Sequence, residues 1–204
     1  MLPTLLSLLT AGILAVTELP HVFLARLAEI GVAPTSRVLV VSVTEQKMTL
    51  FQDGKARGTW SVSTAVKGLG EKADTHQTPR GLHRIKEKIG GGAPKGAIFD
   101  SREFKGQIWV PPTSTNESAT ASASSDLVTS RILWLEGLEP GKNAGIDREG
   151  VLVDSHQRFI YIHGTNSEQF IGKPASRGCI RMLNNEVIAL FEIVEPGDLV
   201  WIEE

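Results

Sequence analysis

RVLVVSVTEQKMTLFQDGKARGTWSVST, residues 37–64, reads as three successive strands. RVLVVSV is apolar and rich in β-branched side chains, and QKMTLFQ repeats that character after a polar break. Asp53-Gly54 then supplies a turn into ARGTWSVST. Asp-Gly suits a tight hairpin because both positions tolerate positive φ, so consecutive antiparallel strands are predicted.

The pattern continues outward from this stretch. Residues 66–81 are turn-rich and end in Thr78-Pro79-Arg80-Gly81, after which LHRIKEKI alternates as a strand. GGGAPKGAIFD and REFKGQIWV add short strands joined by glycine, and RILWLEGL and RFIYIHG add two more. The period of two in RFIYIHG sets Phe159, Tyr161 and His163 on one face and Ile160 and Ile162 on the other, with His163 ending the strand at Gly164. Asn184 or Asn185 is placed to cap a helix through EVIALFEIV, which Pro196-Gly197 stops before a last strand, DLVWIE. Many short strands and few short helices define a mainly β (α+β) domain, a sandwich or a partly open barrel.

At 204 residues the chain holds one domain with an appended segment, divided at 1–35 and 36–204. Its 21 Lys and Arg against 23 Asp and Glu give a net charge of -2, which offers no general attraction to nucleic acid or anionic lipid. The first seventeen residues carry no charge; the run is short for a membrane span and suits a signal-peptide core, yet no basic residue precedes it. A buried N-terminal helix continuing into ELPHVFLARLAEIG is the competing reading, with Phe23, Leu27 and Ile30 on one face and Gly31 as the stop. Residues 111–126, PPTSTNESATASASSD, are too polar for a core and are predicted to form a surface loop.

One cysteine, Cys179, excludes an internal disulfide. An unpaired cysteine is most often a small buried hydrophobe. The surroundings of Cys179 argue for more. A free thiol is only a few per cent thiolate at neutral pH, so a nucleophilic cysteine needs a base or a cationic neighbourhood. His163 can accept the proton, and Arg177 and Arg181 flank the sulfur along the chain and are expected to favour its anion. Gly178 admits a substrate carbonyl and is expected to leave backbone N–H groups free for an oxyanion. No Asp or Asn stands ready to orient the imidazole, and the Gly164 carbonyl could do so. His76, His83 and His156 lack metal-ligand spacing, KGLGEK and GGGAPKG do not match a phosphate loop, and neither metal nor cofactor is expected.

His163-Gly164-Thr165, followed by Ser176-Arg177-Gly178-Cys179-Ile180-Arg181-Met182, resembles the signature of the L,D-transpeptidase (YkuD-like) catalytic domain family. The VSVTEQKMTLFQDGK hairpin, the TPRG turn and IFDSREFKG extend the resemblance over roughly residues 37–202. It implies a mainly β sandwich and a cysteine enzyme of the bacterial cell envelope acting on peptidoglycan. In that reading Cys179 is the nucleophile, His163 the base and then the acid, and Gly164 its carbonyl partner. Ser176 and Gly178 shape the pocket, with Thr165 beside it, and Arg181 positions substrate.

The resemblance also implies the reaction. The thiolate attacks an L-centred, diaminopimelate-type carbonyl of a tetrapeptide stem, D-alanine leaves, and an acceptor amine takes the acyl group; carbapenem-type β-lactams would acylate the same sulfur. Arg177 departs from the family's usual histidine, which leaves His163 as the base. The motif does not separate a transpeptidase from an L,D-carboxypeptidase that uses water, and a wall-binding module with a decayed catalytic pair is a third reading. Sortases share the order histidine, cysteine, arginine but space the first two far more widely.

Overall fold

The computed structural model describes residues 18–111 and 126–204. The apolar run at 1–17 and most of the predicted polar loop lie outside the described residues. The elements follow in the order α1 (His21–Ile30), β1 (Arg37–Ser42), β2 (Lys47–Gln52), β3 (Lys55–Ser61), β4 (Gly81–Ile89), β5 (Ala97–Asp100) and β6 (Glu103–Ile108). Then come β7 (Val128–Gly137), β8 (Tyr161–Thr165), β9 (Ile180–Met182), α2 (Asn184–Ile193) and β10 (Leu199–Glu203).

The described strands form one sheet, β3-β2-β1-β10-β4-β7-β5-β6, from which β8 and β9 branch at β7. The 53–54 turn has φ of 52° at Asp53 and 77° at Gly54, the doubly positive geometry that Asp-Gly favours. Two of the pairings are parallel: β1 with β10 and β8 with β9. The sheet also turns back on itself, because Ser63, just past β3, bridges to Arg181 on β9, and Ala65 bridges to Ser176.

Folding the sheet over buries both faces of the central strands β1 and β10, while β3 and β6 at the edges stay largely exposed. On β1, Leu39 and Val41 enter the central core with Met48, Leu50, Ile85, Leu133 and Ile162, while Val38 and Val40 face the other way. Helix α2 adds Val187, Leu190 and Phe191 to the central core. Helix α1 covers the outer face: Phe23 and Leu27 pack with Val38, Val40, Phe51, Leu82 and Trp201, and Gly31 closes the helix in the left-handed region at φ 68°. At about 25 cal/mol per Å² of apolar surface, burying Phe23 and Leu27 contributes several kcal/mol before entropy is counted, which ties α1 to the sheet.

Two local expectations are corrected. Gly164 does not release the chain; β8 runs through it to Thr165. A Cβ at Gly164 would sit 2.6 Å from Asn184 Oδ1 and 2.7 Å from the Thr129 carbonyl, so the strand passes here because the side chain is absent. Neither Asn184 nor Asn185 caps α2, whose N-cap is Leu183 with no side-chain hydrogen bond. Asn184 turns inward, fully buried, accepting from the Thr129 and Ser130 hydroxyls and donating to the Thr165 carbonyl and Glu168. The Glu168 carboxylate takes the Asn184 backbone N–H at 2.8 Å, a charged acceptor at the positive end of the helix.

Candidate active site

Parallel pairing of β8 with β9 sets Ile162 opposite Ile180 and His163 opposite Arg181. Cys179 immediately precedes β9 and packs against a cluster that includes Ile132, Trp134 and Tyr161. His163 lies two residues along β8 from Tyr161 on the same face, with ring centroids 6.5 Å apart. Residues 163 and 179 are therefore diagonal to one another across the β8–β9 register, although they stand sixteen positions apart in the chain.

The loop carrying the cysteine is fixed by hydroxyls. Ser176, fully buried, donates to the Cys179 carbonyl at 2.6 Å and accepts the Gly178 N–H at 3.2 Å. Thr78, from the TPRG turn, donates to the Gly178 carbonyl at 2.9 Å while taking the Ala65 N–H at 3.0 Å. Gly178 has φ of 130°, a conformation that other residues rarely adopt.

His163 Nδ1 lies 2.6 Å from the Gly164 carbonyl oxygen. A carbonyl only accepts, so Nδ1 carries the proton and Nε2 holds the lone pair. Burial lowers the His163 pKa to about 4, against the Gly164 hydrogen bond, and the ring is neutral at physiological pH. The Cys179 thiol is pushed up to about 11, chiefly by burial; the Tyr161 N–H and the Arg181 and Arg158 guanidinium groups oppose this, and Asp126 reinforces it. The residue is half-buried, and its Sγ–H points to the Phe159 carbonyl at 3.3 Å. The resting pair is thus thiol and neutral imidazole. Arg181 favours the anion, as expected, and Arg158 joins it, but desolvation outweighs both cations.

Beside the sulfur opens a cleft of about 310 Å³, lined by residues that include Asp74, His76, Arg158, Phe159, Ile160 and Arg177. Phe159 is half exposed and has φ of 57°, unusual for a bulky side chain. On the other side Arg102 lies over the Trp134 and Phe159 rings at 4.7 and 5.2 Å, while His156 stacks on Trp134 at 3.9 Å.

Residues 36–202 match the L,D-transpeptidase catalytic domain family, YkuD. The chain belongs to that family. The L,D-transpeptidase homologue YqjB of Bacillus subtilis is 26% identical over 175 residues, which is 84% of this chain and 73% of YqjB. An L,D-transpeptidase structure from Mycobacterium smegmatis aligns with a TM-score of 0.47 at 16% identity, covering 83% of this chain and 59% of that one. L,D-transpeptidase 3 of Mycobacterium tuberculosis, in complex with a faropenem-derived adduct, gives 0.45 at 16% identity, covering 83% of this chain and 60% of that one. This chain therefore spans less than two thirds of those two structures.

Within this L,D-transpeptidase domain the residues singled out in the sequence divide into two groups. Cys179, His163, Gly164, Ser176 and Gly178 come together, but the Gly178 N–H is taken up by Ser176 and is not free for an oxyanion. Arg177 is exposed and reaches the cleft. Thr165 is fully buried, its hydroxyl accepting the Ser167 N–H at 3.0 Å, so it supports a turn and does not face substrate. Arg181 is buried and ion-paired with Asp126. Sequence reasoning missed Arg158 and Asp126, which act across the fold and are marked by no local spacing, and it gave Asn184 a capping task in place of its buried one. His83, set aside earlier, is buried between the Gly81 carbonyl and the Ser155 hydroxyl.

Proposed function

We propose that this domain is a cysteine L,D-transpeptidase acting on peptidoglycan stem peptides. The observation that carries the reading is the locked tautomer of His163: with Nδ1–H held by the Gly164 carbonyl, the basic nitrogen is Nε2, on a ring that neighbours Cys179 beside a cleft. Rotation of the thiol away from the Phe159 carbonyl brings its proton to Nε2. The sulfur attacks the L-centred, diaminopimelate-type carbonyl as that proton moves, because a free thiolate is strongly disfavoured at this buried position. The imidazolium gives the proton to the departing D-alanine amine. Its depressed pKa makes it a strong acid for that step. An acceptor amine then attacks the thioester, and imidazole passes the amine proton to the leaving sulfur. The substrate places the enzyme at the cell envelope.

Carbapenem-type β-lactams present a strained amide to the same sulfur. Intact-mass measurement after incubation with a carbapenem is expected to show one covalent adduct, absent from Cys179→Ala; an unmodified wild-type protein would contradict the enzyme reading and favour a non-catalytic wall-binding module. Muropeptide analysis with a donor tetrapeptide identifies the acceptor. Dimer or amine adduct indicates transfer, and tripeptide alone indicates carboxypeptidase action.

A further inference from the structure

Two arginines, Arg181 and Arg158, act on the sulfur and a third, Arg177, lines the adjacent cleft, and their pairing differs. Arg181 is already neutralised: its guanidinium is paired with the Asp126 carboxylate and it is 4% exposed. Arg158 is not. It enters from the tight turn before β8, where its N–H bonds to the Asp154 carbonyl at 2.9 Å. Its Nη2 donates to the Gln77 carbonyl at 2.8 Å, and its Nη1 is buried with no hydrogen-bond partner among the described residues. Burial works against its charge, with Glu71, Cys179 and Asp74 favouring it. Arg177, exposed and lining the same cleft, makes no ion pair among the described residues.

Two guanidinium groups therefore share this cleft with one carboxylate, Asp74. The cleft also touches the reacting atom's surroundings, since Phe159 lines it and its carbonyl holds Sγ at 3.3 Å. A planar guanidinium that lines a cleft without an ion pair among the described residues is matched by a carboxylate, which can accept two parallel hydrogen bonds.

We propose that Arg158, assisted by Arg177, binds a free carboxylate of the substrate beside the carbonyl that Cys179 attacks, and so sets specificity for an acidic stem peptide. This rests on the proposed activity. Two carboxylates of a donor tetrapeptide fit the chemistry: the C-terminal one on the leaving residue, and the side-chain one on a diaminopimelate-type residue.

Calorimetry with Cys179→Ala protein separates them, using the tetrapeptide, its C-terminal amide and its side-chain amide. One amide is expected to bind about 10- to 100-fold more weakly than the acid, the size of a charge-assisted hydrogen bond. That amide identifies the carboxylate, and Arg158→Gln in the same background should bind all three peptides alike. Equal binding of acid and both amides, no binding of the acid at millimolar concentration, or a preference that survives Arg158→Gln would overturn the inference. If Arg158→Gln does not fold, Arg158→Lys reads the same ratio, and an undiminished preference there counts against the proposal. Turnover by the wild-type enzyme is measured in parallel. A binding preference without turnover refutes the transpeptidase reading alone, whereas turnover with no preference refutes the role of Arg158 alone.

Discussion

Raising the pH should expose the resting state of Cys179 directly. With the thiol near pKa 11, its thiolate fraction at pH 7 is about one part in 10⁴, against a few per cent for a free cysteine. That is a deficit of roughly 300-fold. A more basic thiolate is also a better nucleophile, by about 0.4 to 0.5 log units per pKa unit, which returns roughly tenfold. Alkylation by iodoacetamide at pH 7 is therefore expected to run roughly 20- to 30-fold slower than that of a free cysteine in a short peptide. The rate should climb close to tenfold per pH unit from 7 to 10, followed by mass spectrometry under pseudo-first-order conditions. Iodoacetamide is neutral and small, so the slope reports ionisation more than recognition. A thiolate–imidazolium pair would instead give a fast rate that is flat between the two pKa values. A plateau below pH 8 would refute the thiol–imidazole assignment and restore the arginine-stabilised anion.

Other outcomes follow from the same contacts. His163→Ala should slow carbapenem acylation by about 10²- to 10⁴-fold, the usual cost of losing a general base, measured by adduct formation over time; an unchanged rate would move the base elsewhere. His83 and His163 both have folded pKa values near 4 against an ordinary 6.5, so the unfolded chain binds more protons between those limits. Stability is fully present above about pH 6.5 and falls as pH drops toward 4, by about 3 kcal/mol for each ring. Urea denaturation at pH 7 and pH 4.5 tests this, and equal midpoints would show that these rings are not desolvated. Gly164→Ala should destabilise the fold by about 2–4 kcal/mol, because the new methyl meets Asn184 Oδ1 and the Thr129 carbonyl inside their contact distances. A melting temperature unchanged from wild type would mean that β8 can shift to make room.

Local chemistry was the legible part of this fold. The Asp53-Gly54 hairpin, the alternation of Tyr161 and His163 against Ile160 and Ile162, and the stop at Gly31 each depend on residues within a few positions of one another. So does the Gly164 carbonyl next to its own histidine. What failed was anything decided by a distant partner. Arg181 looked available along the chain, but Asp126, 55 residues earlier, occupies it. Asn184 had the spacing of a cap, but hydroxyls from β7 draw it inward. Proximity in sequence put two cations beside Cys179, whereas the sulfur's ionisation depends on how little water surrounds it, and no count of neighbouring charges reports that.

The backward turn of the sheet has a consequence for how the domain comes to exist. β9 is three residues long and is held by β8 on one side and by Ser63 on the other, so its second neighbour comes from more than a hundred residues upstream. Contacts at such separation form late and slowly, since the loop between them must first be closed. A partly unfolded chain can pair β8 with β9, and so set residues 163 and 179 in register, before Ser63 closes over the far side of β9; until then the cysteine strand is held on one side alone.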